Sequence, residues 1–151
     1  MRANDMKVVD GWGAAYYTNF SLAGGSQPIV LSDATSPAFE QHFADPPRKD
    51  APTANIRVAK GVFRQVEYAG VLKGAKNEAL ARKFIDFLLS VPVQEDIPGQ
   101  MAVYPVNQDA KVPEAFAAFS KVDVAPASVS AEAIAAKRDS WIEAWTKSVL
   151  R

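Results

Sequence analysis

Cysteine is absent from the 151-residue sequence. Disulfide bonds, thiolate nucleophiles and zinc sites built on cysteine are therefore excluded. The chain has a single histidine, His42, which rules out catalysis by two imidazoles and a histidine-rich metal site. We therefore expect no metal site and no bound cofactor.

Excess charge of one sign and long apolar runs are also lacking. The chain has 17 basic and 17 acidic residues, so no basic surface indicates nucleic acid as a partner. No apolar run approaches the roughly 20 residues needed to span a bilayer. The first residues, Met-Arg-Ala-Asn-Asp-Met-Lys, have no apolar core, so we expect no secretory signal on this chain.

Patterns that carry catalysis are missing as well. The carboxylates show no paired spacing suited to acid and base work, and no glycine motif suited to binding phosphate occurs. We therefore predict that the protein is not an enzyme and has no catalytic residues. The 48% hydrophobic content is sufficient for one ordinary globular core.

The apolar residues that are present predict strands interleaved with helices. A strand is predicted at 28–32, and two strands or a hairpin at 55–72. Helices are predicted at 12–23, 36–43, from 77, from 91 to a stop at Pro98-Gly99, at 113–119, and from Ser130 onward. This alternation is typical of the α/β class.

A polar elbow, Ser32-Asp33-Ala34-Thr35-Ser36-Pro37, follows the first predicted strand. Ser36 resembles a helix N-cap, and the plain interpretation of the elbow is a cap and nothing more. The functional interpretation is a polar ligand site at a strand end, with Asp33 as an acceptor or counter-charge. Trp12, at a helix entrance after Gly11, is placed to form a flat wall for a heteroaromatic ring or a cation.

Most other aromatic residues have a structural interpretation. Tyr16 and Phe20 recur at helical spacing and are expected in the core, as are Trp141 and Trp145 on the last helix. His42 is expected to be an exposed helix residue. Tyr104-Pro105 fits a cleft edge or a plain loop equally well.

Several motifs together resemble one family. They are Asp10-Gly11-Trp12, the segment from Val30 to Phe39, the helix from Leu80 to Leu88, Ile97-Pro98, Tyr104-Pro105, and the segment from Arg138 to Trp145. In their order and spacing, along nearly the whole chain, they are similar to the C-terminal half of thiamine-type substrate-binding proteins of ABC transporters. No motif is specific alone, but the set is specific.

The resemblance implies a fold and a set of partners. The implied fold is α/β, of the periplasmic-binding-protein type II kind, with this chain as the C-terminal half of a two-lobed clamshell. Residues of about 1–32 and 104–151 would belong to the second lobe, and about 36–98 would contribute to the first. The implied partners are a small thiamine-like solute, a transporter permease and the missing N-terminal half, in the periplasm. Strand edges left uncovered by that half predict self-association or an apolar surface.

The resemblance also implies a ligand-binding set. The family's ring-stacking tryptophan falls on Trp12, and its tyrosine after the strand serine falls on Asp33. The tyrosine that follows Ser-Pro-Ala falls on Phe39, which lacks the hydroxyl, and Ser36 belongs to the same motif. A tryptophan before the Tyr-Pro pair falls on Ala102. Asp33 would offer a carboxylate to a cation, whereas Ala102 would enlarge the pocket.

The predicted function is therefore solute binding for an ABC importer, with thiamine or a related cationic or heteroaromatic solute in the cleft between the lobes. One alternative is a binding protein for a polyamine or for chelated iron. Iron binders of this kind use adjacent tyrosines, but Tyr16 and Tyr17 lie in mid-helix, which would aim their rings in different directions. A structural α/β domain without a ligand is the remaining alternative. A thiaminase-like enzyme would need a nucleophilic cysteine, which the chain lacks.

Overall fold

The computed structural model describes residues 4–150. The chain divides into two compact units. Unit 1 comprises the described parts of Met1–Asp33 and Ala125–Arg151, together with Val58–Phe63. Unit 2 comprises Ala34–Arg57 and Arg64–Val124. The lobe assignment made from the sequence, 1–32 with 104–151 and 36–98 apart, stays a prediction.

Helices provide the regular secondary structure of the described residues. They are α1 (Trp12–Ala14), a π-helical turn (Ala15–Asn19), a 3₁₀ turn (Ser21–Ala23), α2 (Ser36–His42), α3 (Glu78–Leu88), α4 (Val91–Met101), α5 (Glu114–Phe119) and α6 (Ala131–Val149). His42 is exposed at the end of α2, as the sequence predicts.

The predicted α/β fold is wrong. Between residues 4 and 150 no β-sheet forms, and isolated bridges alone join Phe20 to Gln27 and Phe63 to Ala127. The segments 28–32 and 55–72 contain no strand ladder. This helical architecture does not fit the periplasmic-binding-protein type II clamshell that the resemblance implies.

The failed prediction has a physical reason. Alternating apolar residues indicate which face of a strand would be buried, but a strand also needs a neighbour to pair its backbone N–H and C=O groups. The described segments provide no such neighbour, and the apolar side chains stay in solvent. Leu31 is 93% exposed and Tyr68 is 90% exposed.

Helix starts follow the local sequence closely. The side chain of Asn77 accepts a hydrogen bond from the Leu80 amide at 3.2 Å, which caps α3. The hydroxyl of Ser130 accepts one from the Ala133 amide at 3.2 Å, which caps α6. Both predicted helix starts are confirmed. They could be predicted because a cap involves only residues three positions apart.

Two helix ends differ from the prediction. The helix expected over 12–23 breaks at Phe20, whose backbone is extended, although Gly24 closes the last turn at φ 86° as a C-terminal glycine should. Helix α4 continues past Pro98 to Met101. It ends when the Ala102 amide donates to the Pro98 carbonyl at 3.1 Å.

Each unit has a small apolar core. In unit 1, Tyr16 and Phe20 are buried as predicted, together with Val149 of α6. In unit 2, α2 packs against α5, where Ala38 and Phe116 are fully buried.

The prediction that Trp141 and Trp145 lie in the core is wrong. Both side chains are exposed, Trp145 by 51%. Helical spacing defines a common face of α6, but it does not provide an element to cover that face.

Candidate functional site

Trp12 begins α1 directly after Gly11, and its indole ring is held from three sides. The Nε1–H group donates a hydrogen bond to the Ser32 hydroxyl at 2.7 Å. The ring stacks on Tyr16, with centroids 4.8 Å apart and planes inclined by 22°. Tyr17 meets it edge-on at 5.2 Å and 85°. Trp12 as a residue nevertheless stays 44% exposed, so part of a fixed aromatic residue remains open to solvent.

The π-helical turn explains how adjacent tyrosines take different positions. A π turn contains more than four residues, so successive side chains are displaced from ordinary helical spacing. Tyr16 is 3% exposed and lies beneath the indole ring, whereas the neighbouring Tyr17 is exposed. The two rings are inclined by 76°. The described geometry therefore does not present two tyrosine rings side by side.

A tight reversal of the chain follows the aromatic cluster. The Asn19 carbonyl accepts a hydrogen bond from the Gln27 amide at 2.9 Å, and the Phe20 carbonyl accepts one from the Gly25 amide at 3.0 Å. A side chain at Gly25 would place its Cβ 2.1 Å from the Asn19 carbonyl oxygen, so only glycine fits. The reversal leads the chain toward the segment that carries Ser32.

Asp33 is exposed and follows Ser32 directly. Because Ser32 accepts the indole hydrogen bond, the ring lies beside the backbone that carries the Asp33 carboxylate. Trp12 and Asp33 belong to the same unit. An exposed indole ring and an exposed carboxylate are groups that attract a cationic heteroaromatic ligand.

The other predicted site residues belong to unit 2. Ser36 is the first residue of α2, and the N-cap position is taken by Thr35, one residue earlier than expected. Phe39 is half-buried and its ring lies 4.6 Å from that of Phe43, inclined by 48°. Ala102 is half-buried at the end of α4, in the left-handed region at φ 55°. The ligand-binding roles of these three residues stay predictions.

Metal ligands and membrane spans are not found in the described part of the chain. Between residues 4 and 150 no three or more histidine, aspartate or glutamate side chains are grouped to hold a metal ion. None of the helices described over the same range is long and apolar enough to cross a membrane.

Comparison with known proteins identifies relatives along the whole chain. The chain is 33% identical over 154 residues to the thiamine-binding periplasmic protein of Salmonella typhimurium, covering 100% of this chain and 43% of the relative. It is 34% identical over 144 residues to the protein of that name from Escherichia coli, with coverages of 95% and 41%. The Brucella suis protein of the same name is 30% identical over 148 residues, with coverages of 97% and 42%.

This chain is similar to thiamine-binding periplasmic proteins along its whole length. The resemblance predicted from the sequence is therefore confirmed. The chain spans less than half of the length of these relatives. No family model matches the chain. No solved structure matches it either.

The resemblance to thiamine-binding proteins identifies Trp12 but not the groups that hold it. Ser32 lies twenty positions away in sequence, and no periodicity connects the two residues. Tyr17 is missed for a different reason, since a regular helix would turn it away from the ring. A serine at the end of an apolar segment is the only sequence signal for the hydrogen bond, and it is a weak one.

Proposed function

We propose that this chain is part of a periplasmic thiamine-binding protein that delivers its solute to the permease of an ABC importer. The similarity to thiamine-binding proteins over the whole chain supports the ligand class. It also supports binding without catalysis. The observation that carries the proposal is Trp12, a residue that is 44% exposed although its ring is fixed by Ser32 and Tyr16.

Thiamine matches the chemistry of this surface. Its thiazolium ring is cationic, and the face of a tryptophan attracts a cation by about 0.5–2 kcal/mol, more as water is excluded. Asp33, the residue after the serine that binds the indole, is exposed and carries a negative charge. The remaining proposed residues, Ser36, Phe39 and Ala102, rest on the resemblance alone.

The relatives' additional length bears on affinity. The chain covers 43% of the Salmonella typhimurium protein. We therefore propose that a further segment of protein, the N-terminal half expected from the resemblance, supplies the rest of the binding surface. Thiamine should bind more tightly when that segment is present than when this chain is alone.

Calorimetric titration with thiamine tests the proposal. We expect Trp12→Ala to weaken thiamine binding by about twofold to thirtyfold, the size of one lost cation–aromatic contact. Trp145→Ala is the matched control, because Trp145 is also exposed but lies on α6, and it should leave the affinity unchanged.

Other solutes distinguish the alternatives. Titration with spermidine and with a ferric chelate should give no saturable heat if thiamine is the ligand. Absence of thiamine binding to the protein with the further segment present, or tighter binding of either competitor, would contradict the proposal. The buried Tyr16 and the inclined rings of the tyrosine pair argue against iron.

A further inference from the structure

We infer that Ser32 is a positioning residue for Trp12 and thereby sets the affinity of the site for thiamine. The inference rests on the proposed function and adds a residue to it. The indole Nε1 of Trp12 donates to the Ser32 Oγ at 2.7 Å, which is a short hydrogen bond for an N–H donor.

Stacking alone does not fix the indole ring. A ring on Tyr16 can slide and turn in its own plane, because offset stacked arrangements differ little in energy. The indole has one hydrogen-bond donor and no acceptor, so a bond from Nε1 selects one orientation within that plane. Ser32 therefore removes the freedom that the contact with Tyr16 leaves.

The same bond connects two parts of the proposed site. Trp12 is at the start of α1, whereas Ser32 precedes Asp33 in the chain. Fixing the serine against the indole consequently fixes the spacing between the aromatic face and the aspartate backbone. A cation that uses both groups gains affinity from this preorganisation, since less freedom is lost on binding.

A spectroscopic test does not depend on any ligand. The chain has three tryptophans, so replacing Trp141 and Trp145 by Phe leaves Trp12 as the only indole chromophore. In that background, Ser32→Ala should reduce the near-ultraviolet circular dichroism of Trp12 and increase its quenching by acrylamide. Ser32→Thr keeps a hydroxyl and should restore both signals. Ser26→Ala, at an exposed serine of the same unit, is the control.

Thiamine titration supplies the second measurement. With the tryptophans intact, Ser32→Ala should weaken thiamine binding about fivefold to tenfold, as expected for one lost hydrogen bond. Ser32→Thr should bind within about twofold of the unchanged protein, well inside the effect of one hydrogen bond. Ser26→Ala should not alter the affinity.

The outcomes separate this inference from the proposed function. Unchanged Trp12 signals in Ser32→Ala would overturn the positioning role, whatever the ligand. Changed signals with unchanged thiamine affinity would overturn the role in binding. If the unchanged protein, with the further segment present, fails to bind thiamine while the signals of Ser32→Ala do change, the proposed function fails and Ser32 is left as a structural partner of Trp12 only.

Discussion

The side chain of Gln94 is hydrogen-bonded to the backbone of Val106, and both residues belong to unit 2. Its side-chain carbonyl accepts a hydrogen bond from the Val106 amide at 2.8 Å, and its side-chain amide donates to the Leu88 carbonyl at 2.8 Å. Gln94 itself is only 4% exposed. One buried side chain therefore connects the end of α3, the first turn of α4 and the segment after α4.

Replacing Gln94 by Ala should lower the free energy of unfolding by about 1–3 kcal/mol, because the Val106 amide and the Leu88 carbonyl lose their partner. Gln100→Ala is the control on the same helix, since Gln100 is exposed and bonds only to Asp96. Urea denaturation followed by circular dichroism measures both. Equal losses for the two variants would contradict the structural role of Gln94.

Gly25→Ala should lower the free energy of unfolding by more than about 2 kcal/mol, since relieving the clash requires a backbone shift. The added methyl would lie 2.1 Å from the Asn19 carbonyl oxygen. Gly13→Ala is the matched control, because a Cβ at that position meets nothing within 4 Å. It lies in α1, so the change should be neutral or slightly stabilising. Thermal unfolding measures both variants. An unfolding temperature of Gly25→Ala equal to that of the unchanged protein would contradict the tight reversal at Gly25.

Ala102→Gly should raise the free energy of unfolding by about 0.5–1 kcal/mol. Ala102 occupies the left-handed region at φ 55°, where a Cβ is strained and glycine is not. Ala81→Gly, inside α3, should have the opposite sign and cost about 1 kcal/mol. The midpoints of denaturant unfolding show whether each of the two variants is more or less stable than the unchanged protein. A destabilising Ala102→Gly would show that the end of α4 is not left-handed.

Glu132 should make α6 sensitive to acid. Hydrogen bonds from its own backbone amide and then from Ser130 lower the pKa of its carboxyl from the usual 4.5. Because the pKa of Glu132 is lower in the folded state, its carboxylate stabilises the fold at pH values above the usual pKa of 4.5. This contribution is lost as the pH falls through the lowered pKa. The stability difference between the unchanged chain and Glu132→Gln should therefore shrink as the pH falls from above the usual 4.5 through the lowered pKa. A difference that grows in acid would contradict this sign.

Asp33→Asn should weaken thiamine binding by roughly 1–3 kcal/mol, because a neutral amide replaces a charge beside a cation. Asp50→Asn, in an exposed loop of unit 2, is the control and should bind normally. Calorimetry on the protein with the further segment present measures both changes. Equal affinities for Asp33→Asn and the unchanged protein would remove Asp33 from the site.

The sequence predicts what neighbouring residues determine. The helix starts at Asn77 and Ser130 are predicted correctly because the side chain of each bonds to an amide three residues away. The sheet is predicted wrongly because strand pairing depends on distant segments, and the apolar run around Leu31 does not reveal whether a partner exists.

The same limit applies to the candidate site. The aromatic pattern and the resemblance identify Trp12. The hydrogen bond to Ser32, twenty positions along the chain, is visible only in the structure.

The last segments of the two units lie at different places along the chain. Unit 2 has received its last segment once Val124 has been made, whereas unit 1 still lacks Ala125–Arg151. The Lys60 amide donates to the Ala125 carbonyl at 2.9 Å, and the Ala127 amide donates to the Val62 carbonyl at 2.7 Å. Both hydrogen bonds join the segment Val58–Phe63 to the segment Ala125–Arg151 within unit 1. A premature stop before Ala125 would remove them and leave every segment of unit 2 in place.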